Sequence, residues 1–275
     1  MIGASFGLLA AVLIGIADLY GRRITPVSSS LTTALSLQMF AALFVAASLL
    51  LWPGQIELAA ILWGACSGVG FTIGLACYYK GLSTASSAII APLSAVLSVF
   101  IPFLWGVFRR LDMTPLSVGG VGVAFCGLIL VTRGVFSRER PRGVLRWGLC
   151  SGLGYGIGQA VLLEVSLEAG PLAVSSQRFM AFMVLLPVVL GRRNQPFPPR
   201  GTRLAAALAG LCAGGASVAL FQGLRFDPLS TITTVAVFPV FTVAVGRYFY
   251  ADSITKRQGI GVLCALVGTI GVVIG

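Results

Sequence analysis

Few side chains in this 275-residue sequence could do acid–base chemistry, because it has eight acidic residues and no histidine. Two of the carboxylates, Asp18 and Glu164, lie at the ends of long apolar segments. Such a carboxylate is costly in a membrane and often serves proton or cation transfer, so both are candidates for coupling. Asp18 also precedes Arg22 by four residues, and an interfacial ion pair along one helix is its alternative. For Glu164 the alternative is a solvated position at a helix end.

Uncharged polar side chains recur inside the same apolar segments. Tyr155 and Gln159 are four residues apart and therefore share one helix face. Tyr78 and Tyr79 combine aromatic faces with phenolic tips, which suits amphipathic ligands but is also typical of an aromatic belt. Hydroxyls inside helices often bond to their own backbone, so the Ser and Thr positions have a structural alternative. The candidate cavity-lining residues are Asp18, Gln38, Tyr78, Tyr79, Ser94, Tyr155, Gln159, Gln222, Thr231 and Thr234.

The sequence predicts no metal, cofactor or catalytic site. Its six cysteines form no Cys-x-x-Cys pair and histidine is absent, so zinc, haem and iron–sulfur sites have no ligand set. The glycine-rich run 152–158 follows no strand and precedes no Lys-Ser/Thr pair, so it is no phosphate loop. The net charge of +11 comes from basic residues in breaks between apolar segments. They are not interleaved with aromatic residues on one face, and no nucleic-acid partner is expected.

The composition is that of a membrane protein: 57% of the residues are apolar, 10% are charged, and the mean hydropathy is +0.98. Soluble domains carry roughly a quarter charged residues. Ten apolar segments are each long enough to cross about 30 Å of hydrocarbon, and they are too long for barrel strands. The predicted fold class is an all-α polytopic membrane protein with ten transmembrane helices. The predicted spans are 2–20, 31–51, 58–79, 87–108, 115–132, 147–163, 172–190, 204–223, 229–250 and 257–275.

The chain also indicates an internal duplication, because stretch 81–132 returns in altered form as 223–275. Each copy has a Gly-Leu corner, an apolar segment with proline, a short charged break and a glycine-spaced apolar segment. Repeats of five spans must be inserted in opposite orientations, as in many secondary transporters. We predict repeats 1–135 and 143–275, joined by a linker at 136–142. Three prolines inside spans are predicted helix breaks, which line cavities or kink helices for packing; they are Pro92, Pro102 and Pro239.

These two stretches, together with IADL at 16–19, resemble the ten-helix EamA-type transporters of the drug/metabolite transporter superfamily. The best-matching segments are VFPVFT at 237–242, DSIT at 252–255 and QGIG at 258–261. The resemblance spans essentially the whole chain. It implies a secondary active transporter that exports a small metabolite or amphipathic compound, while the doubled architecture implies alternating access as the mechanism. Members usually place an acidic residue after the fourth helix of each repeat; here those positions hold Leu111, with Asp112 beside it, and Asp252.

Two further function classes remain open: a non-transporting membrane scaffold, and a membrane-embedded enzyme, which would need convergent nucleophiles, acids or metal ligands. We expect no enzyme, and the partners we expect are a small-molecule substrate, protons and the lipid bilayer. The expected location is a bacterial cytoplasmic membrane, while the oligomeric state is not predicted. Most of the 19 Lys and Arg residues lie in odd-numbered loops. The positive-inside rule therefore places both termini outside, whereas transporters of the resembled type are generally described with both termini inside.

Overall fold

The computed structural model describes residues 1–85, 87–109, 114–133, 143–235, 237–252, 255–257, 259–261, 263–264 and 267–268. Within these ranges the chain is helical and has no strand. Six segments there are long and apolar enough to cross a membrane. The predicted linker, and most of the tenth span, lie outside the described ranges, as does Asp112. The helices are α1 (Ile2–Ile24), α2 (Ser30–Ser48), α3 (Leu58–Leu82), α4 (Ser87–Phe108), α5 (Pro115–Arg133), α6 (Val144–Leu162), α7 (Leu172–Gly191), α8 (Arg203–Phe226), α9 (Pro228–Val235) and α10 (Phe238–Tyr250).

The predicted ninth span, 229–250, corresponds to the apolar segment Ser230–Tyr250, which is long enough to cross a membrane. Within it the structure describes two helices, α9 and α10. Pro239 is near the start of α10, where its missing N–H costs nothing, and it could not continue α9 without losing a backbone bond. The structure differs at the other two predicted breaks. Helix α4 continues through Pro92 and Pro102, so these prolines do not end it.

The glycines of α3 fix how the middle of the bundle packs. Gly64 lies directly against the backbone of Ala173 in α7, and Gly68 lies against Gln177. Residue numbers increase in the same direction along both helices at these contacts, so α3 and α7 are parallel. A Cβ at either glycine would collide with a carbonyl of the neighbouring helix, which explains why small residues are needed here.

The second repeat makes the same contact with the helices exchanged. Gly210 of α8 lies against Leu37 of α2, and Gly214 lies against Ala41, so α8 and α2 are also parallel. Elsewhere α1 packs on α8, α9 and α10, while α6 packs on α3 and α4. Exchanging the repeats therefore reproduces the packing, which is the behaviour of a pseudo-two-fold axis.

The first helices of the repeats run in opposite directions. Gly70 of α3 lies against Gly158 of α6 and Gly74 lies against Gly154, so α3 and α6 are antiparallel. Helices α1 and α3 run through the bundle in the same direction, because one span lies between them in the chain. Helix α6 is antiparallel to α3 and therefore also runs opposite to α1. We call the end of the bundle with Arg22 and the last residues of α1, α3 and α10 face A. The opposite end, with the last residues of α4, α6 and α8, is face B.

Candidate functional site

A cavity of about 90 Å³ lies between the two repeats, near the middle of the bundle. This volume is several times what one water molecule needs. Both repeats supply its walls, so any relative movement of the repeats changes its shape. Its polar lining residues are Asp18, Tyr78, Tyr79, Ser98, Tyr155, Gln159, Arg178 and Ser217. Its apolar lining residues are Ile14, Ala17, Leu37, Phe71, Leu75, Ala213, Ala216, Leu220, Val235 and Phe238.

Asp18 supplies the carboxylate of the cavity and is only 3% exposed. Its Oδ2 accepts a hydrogen bond of 2.8 Å from the Tyr78 hydroxyl and one of 2.6 Å from Thr242 Oγ1. The alternative that pairs Asp18 with Arg22 along α1 is wrong. Arg22 instead makes a salt bridge of 2.8 Å with Asp252, because the end of α10 lies beside the end of α1.

Arg178 supplies the cation, and it is 6% exposed. Its guanidinium donates to Ser217 Oγ at 3.0 Å, to Gln38 Oε1 at 2.9 Å and to the Ala213 carbonyl at 3.1 Å. It also lies 5.3 Å from the centroid of the Phe71 ring. These acceptors are all neutral, so hydrogen bonds and a ring face stabilise the charge. Arg178 was not among the predicted cavity residues, although an ionisable side chain inside a predicted span was the signal that could have found it.

Aromatic rings form one wall of the cavity. The Tyr78 ring contacts those of Tyr79 and Tyr155 edge to face, at centroid distances of 5.8 and 6.3 Å. Phe71 contacts Tyr155 in the same way at 5.3 Å. Phe238 joins the cavity from the first turn of α10, just after the helix break. Apolar faces with hydroxyl tips suit a ligand that has an apolar body and a few polar groups.

Asp18 and Gln159 occupy equivalent positions in the two repeats. Each lies three residues after a glycine, in the segments GIAD at 15–18 and GIGQ at 156–159, and each lines the cavity. Within the described residues, Gln159 Oε1 is buried without a hydrogen-bond partner. The first repeat thus places the carboxylate of Asp18 in the cavity wall, and the second repeat places there the amide of Gln159, whose oxygen can still accept a hydrogen bond. Comparing the two segments in sequence could have found this relationship.

The structure brings half of the predicted lining residues to the cavity and assigns the others different contacts. Asp18, Tyr78, Tyr79, Tyr155 and Gln159 line it. Gln38 lies behind the lining and contacts it through Arg178.

The four remaining candidates are not among the lining residues. Ser94 bonds Ser151 Oγ at 2.8 Å, and Gln222 accepts from Arg225 at 3.4 Å. The hydroxyls of Thr231 and Thr234 donate to carbonyls one turn earlier, those of Asp227 and Ser230. These two threonines satisfy their hydrogen-bonding capacity locally, as hydroxyls in helices usually do.

Glu164, the second predicted coupling carboxylate, lies at face B and is not among the cavity-lining residues. Its carboxylate makes a salt bridge of 3.0 Å with Arg109 and accepts from Trp105 Nε1 at 2.7 Å. Arg109 is 57% exposed. This pair joins α6 of the second repeat to the end of α4 in the first.

The sequence profile of the EamA-like transporter family matches residues 1–133 and 143–274. The chain belongs to this family. No curated protein matches it in sequence. A solved structure described as "Crystal structure of protein" is 15% identical, with a TM-score of 0.72 over 99% of this chain and 97% of that one, and it supports the fold alone.

In this EamA-like chain the loop acid of the second repeat braces face A. Asp252 binds Arg22 and accepts from the Ser87 hydroxyl at 2.5 Å and the Ser87 N–H at 3.2 Å. Burial by itself would raise the pKa of Asp252, but the bonds from Arg22 and Ser87 outweigh it and leave that pKa below its ordinary value. No group of three His, Cys, Asp or Glu side chains that could hold a metal ion occurs in the described part of the chain.

Proposed function

We propose that this protein is a secondary active transporter that exports a small metabolite or amphipathic compound by alternating access. The observation that supports this best is the cavity at the interface of the repeats, which combines aromatic walls with a carboxylate and a guanidinium. In inverted-repeat transporters the substrate site lies at this place. The sequence has no nucleotide-binding motif, so we propose an ion gradient as the energy source.

Two ion pairs are the proposed gates. Arg22 and Asp252 join the repeats at face A, while Arg109 and Glu164 join them at face B. Opening toward one face requires breaking the pair there, and the other pair keeps the opposite face closed. Because the face A pair is more buried than the face B pair, we expect the face B gate to open more readily.

Asp18 is the proposed coupling carboxylate. It is buried next to the cavity, and two hydroxyls hydrogen-bond to it. A charged carboxylate at this depth is stabilised by water entering from an open gate, whereas a neutral one suits the closed cavity. Each gating cycle would therefore move a proton. Glu164 is the weaker candidate, because Arg109 holds it as an ion pair at the surface.

The test begins with thermal unfolding of the purified protein against a panel of metabolites and drugs, because a ligand that binds the folded state stabilises it. Flux of a stabilising compound is then measured in liposomes with and without a pH gradient. We expect gradient-dependent flux in the wild type and in Glu164→Gln, and gradient-independent flux in Asp18→Asn. An unaltered gradient response in Asp18→Asn would remove Asp18 from the mechanism. A stabilising compound without any flux would favour a non-transporting scaffold.

The proposal includes ten transmembrane helices in repeats 1–135 and 143–275, in a bacterial cytoplasmic membrane with both termini outside. Face A carries most basic residues and is the proposed cytoplasmic face. Reporter fusions at Gly275 test the orientation. An active cytoplasmic reporter there would contradict it.

A further inference from the structure

A polar pocket of about 560 Å³ lies at face A, away from the central cavity. It forms where the connection between α1 and α2 meets the connection between α7 and α8. The Thr32 hydroxyl donates to the Gln195 carbonyl at 2.7 Å and ties the two connections together. The pocket therefore contains residues of both repeats, and a ligand bound there would contact both.

The pocket is strongly basic. Three arginines line it, Arg193, Arg200 and Arg203, and no acidic residue does. Among the described residues no salt bridge involves these arginines; Arg203 Nε donates to the Pro198 carbonyl at 3.4 Å. The first turns of α2 and α8 also lie here, and the positive ends of their helix dipoles add to the positive potential. Such a pocket suits a multivalent oxyanion, because guanidinium groups bind phosphate oxygens in pairs.

Apolar side chains lie at the margin of the same pocket. Val27 and Phe197 line it and are 54% and 49% exposed, and Leu204, next to Arg203, is 72% exposed. A free inorganic anion would leave these side chains uncovered. A phospholipid would place its headgroup among the arginines and its acyl chains against the apolar margin. The cytoplasmic leaflet, toward which basic loops face, is the one that holds anionic lipid.

We propose that this pocket binds the phosphate headgroup of an anionic phospholipid. The bound lipid joins the two repeats at face A and stabilises their arrangement there. The proposal does not depend on which compound the central cavity takes, or on transport itself.

The test compares two triple variants of the full chain. Arg193→Gln/Arg200→Gln/Arg203→Gln removes the charge of the pocket. Arg23→Gln/Lys80→Gln/Lys256→Gln removes the same charge from exposed positions of face A outside it. Delipidated protein is mixed with phosphatidylglycerol, phosphatidylcholine or inorganic phosphate. Bound lipid is counted by native mass spectrometry, and thermal unfolding is followed in parallel.

We expect phosphatidylglycerol to bind the wild type and the control variant alike, to raise their unfolding temperatures, and to bind the pocket variant at least tenfold more weakly. Equal loss in both variants would overturn the proposal, since it would show only a general effect of charge. Equal binding of phosphatidylcholine, or equal stabilisation by inorganic phosphate, would overturn the anionic-lipid assignment. If the pocket variant does not fold, the single variant Arg200→Gln, at an exposed site, must still bind less phosphatidylglycerol than Lys80→Gln does.

Discussion

Gln38 and Arg178 occupy equivalent positions in the two repeats and hydrogen-bond to each other at 2.9 Å. The equivalence follows from their neighbours: Leu37 lies against Gly210 in one repeat, and Gln177 lies against Gly68 in the other. The bond therefore joins α2 to α7 where the pseudo-two-fold axis passes between them. Because Arg178 lines the cavity and Gln38 holds it from behind, a change in this bond should affect how the repeats move as well as how stably they pack.

Substitutions of Gln38 should lower or raise stability, depending on whether they remove the acceptor for Arg178 or give it a negative charge. Gln38→Ala removes an acceptor from a buried guanidinium, and we expect a loss of about 1.5–3 kcal/mol. Gln38→Glu gives Arg178 an anionic partner and removes the unpaired Nε2 donor, so we expect a higher unfolding temperature and several-fold slower transport. Thermal unfolding and initial flux in liposomes measure both effects. If Gln38→Glu unfolds at a lower temperature than the wild type, the bond between residue 38 and Arg178 does not stabilise the fold as we expect.

The close helix contacts should tolerate no added methyl group. Gly68→Ala and Gly210→Ala would each push a Cβ into the facing backbone, and we expect each to cost about 1–3 kcal/mol. Gly119→Ala is the matched control, because no atom lies within 4 Å of its Cβ position in α5. There alanine should be neutral or stabilise the helix by up to about 1 kcal/mol. Unfolding temperatures in detergent report the difference, and equal effects at all three positions would argue against this packing.

The pairing of Asp252 should make stability depend on pH. Its pKa is lowered in the folded protein, so its contribution is fully present above the ordinary aspartate pKa of about 3.9 and is lost as the pH falls through the lowered value. At neutral pH we expect Asp252→Asn to be about 1–2 kcal/mol less stable than the wild type, since it loses charge-assisted hydrogen bonds. The difference should begin to shrink as the pH falls through about 4 and should disappear only below the lowered pKa of Asp252. Thermal unfolding across this series measures it, and a constant difference would refute the pairing.

Hydrophobicity and repeat order were enough to predict a helical, two-repeat membrane protein of this family, because both properties depend on local composition. Asp18 could be selected for the same reason, as an isolated carboxylate in an apolar segment. The hydrogen-bond partners of Asp18 could not be predicted from the sequence. Tyr78, Thr242 and the Arg22–Asp252 pair join residues far apart in sequence, while the prediction considered only neighbours along one helix.

Two other features depended on tertiary context in the same way. Arg178 lies in the first turns of α7, but its guanidinium is buried because the middle parts of α2 and α8 supply the neutral acceptors Gln38 and Ser217. One serine of α4 and two threonines of α9 were expected in the cavity but make hydrogen bonds elsewhere; they are Ser94, Thr231 and Thr234. Side-chain periodicity places them on a helix face, but only packing decides what that face contacts.

The most direct test of the gating account measures distances across both faces of the bundle by pulsed electron paramagnetic resonance. Spin labels at Ser83 and Tyr248, both exposed, report face A, and labels at Phe108 and Arg225 report face B. The native cysteines are first replaced, and the protein is held in lipid nanodiscs. We predict that Asp252→Asn lengthens the face A distance while the face B distance stays short, and that Glu164→Gln does the reverse. Lengthening of both distances in either variant, or of neither in both, would contradict alternating opening of the two repeats.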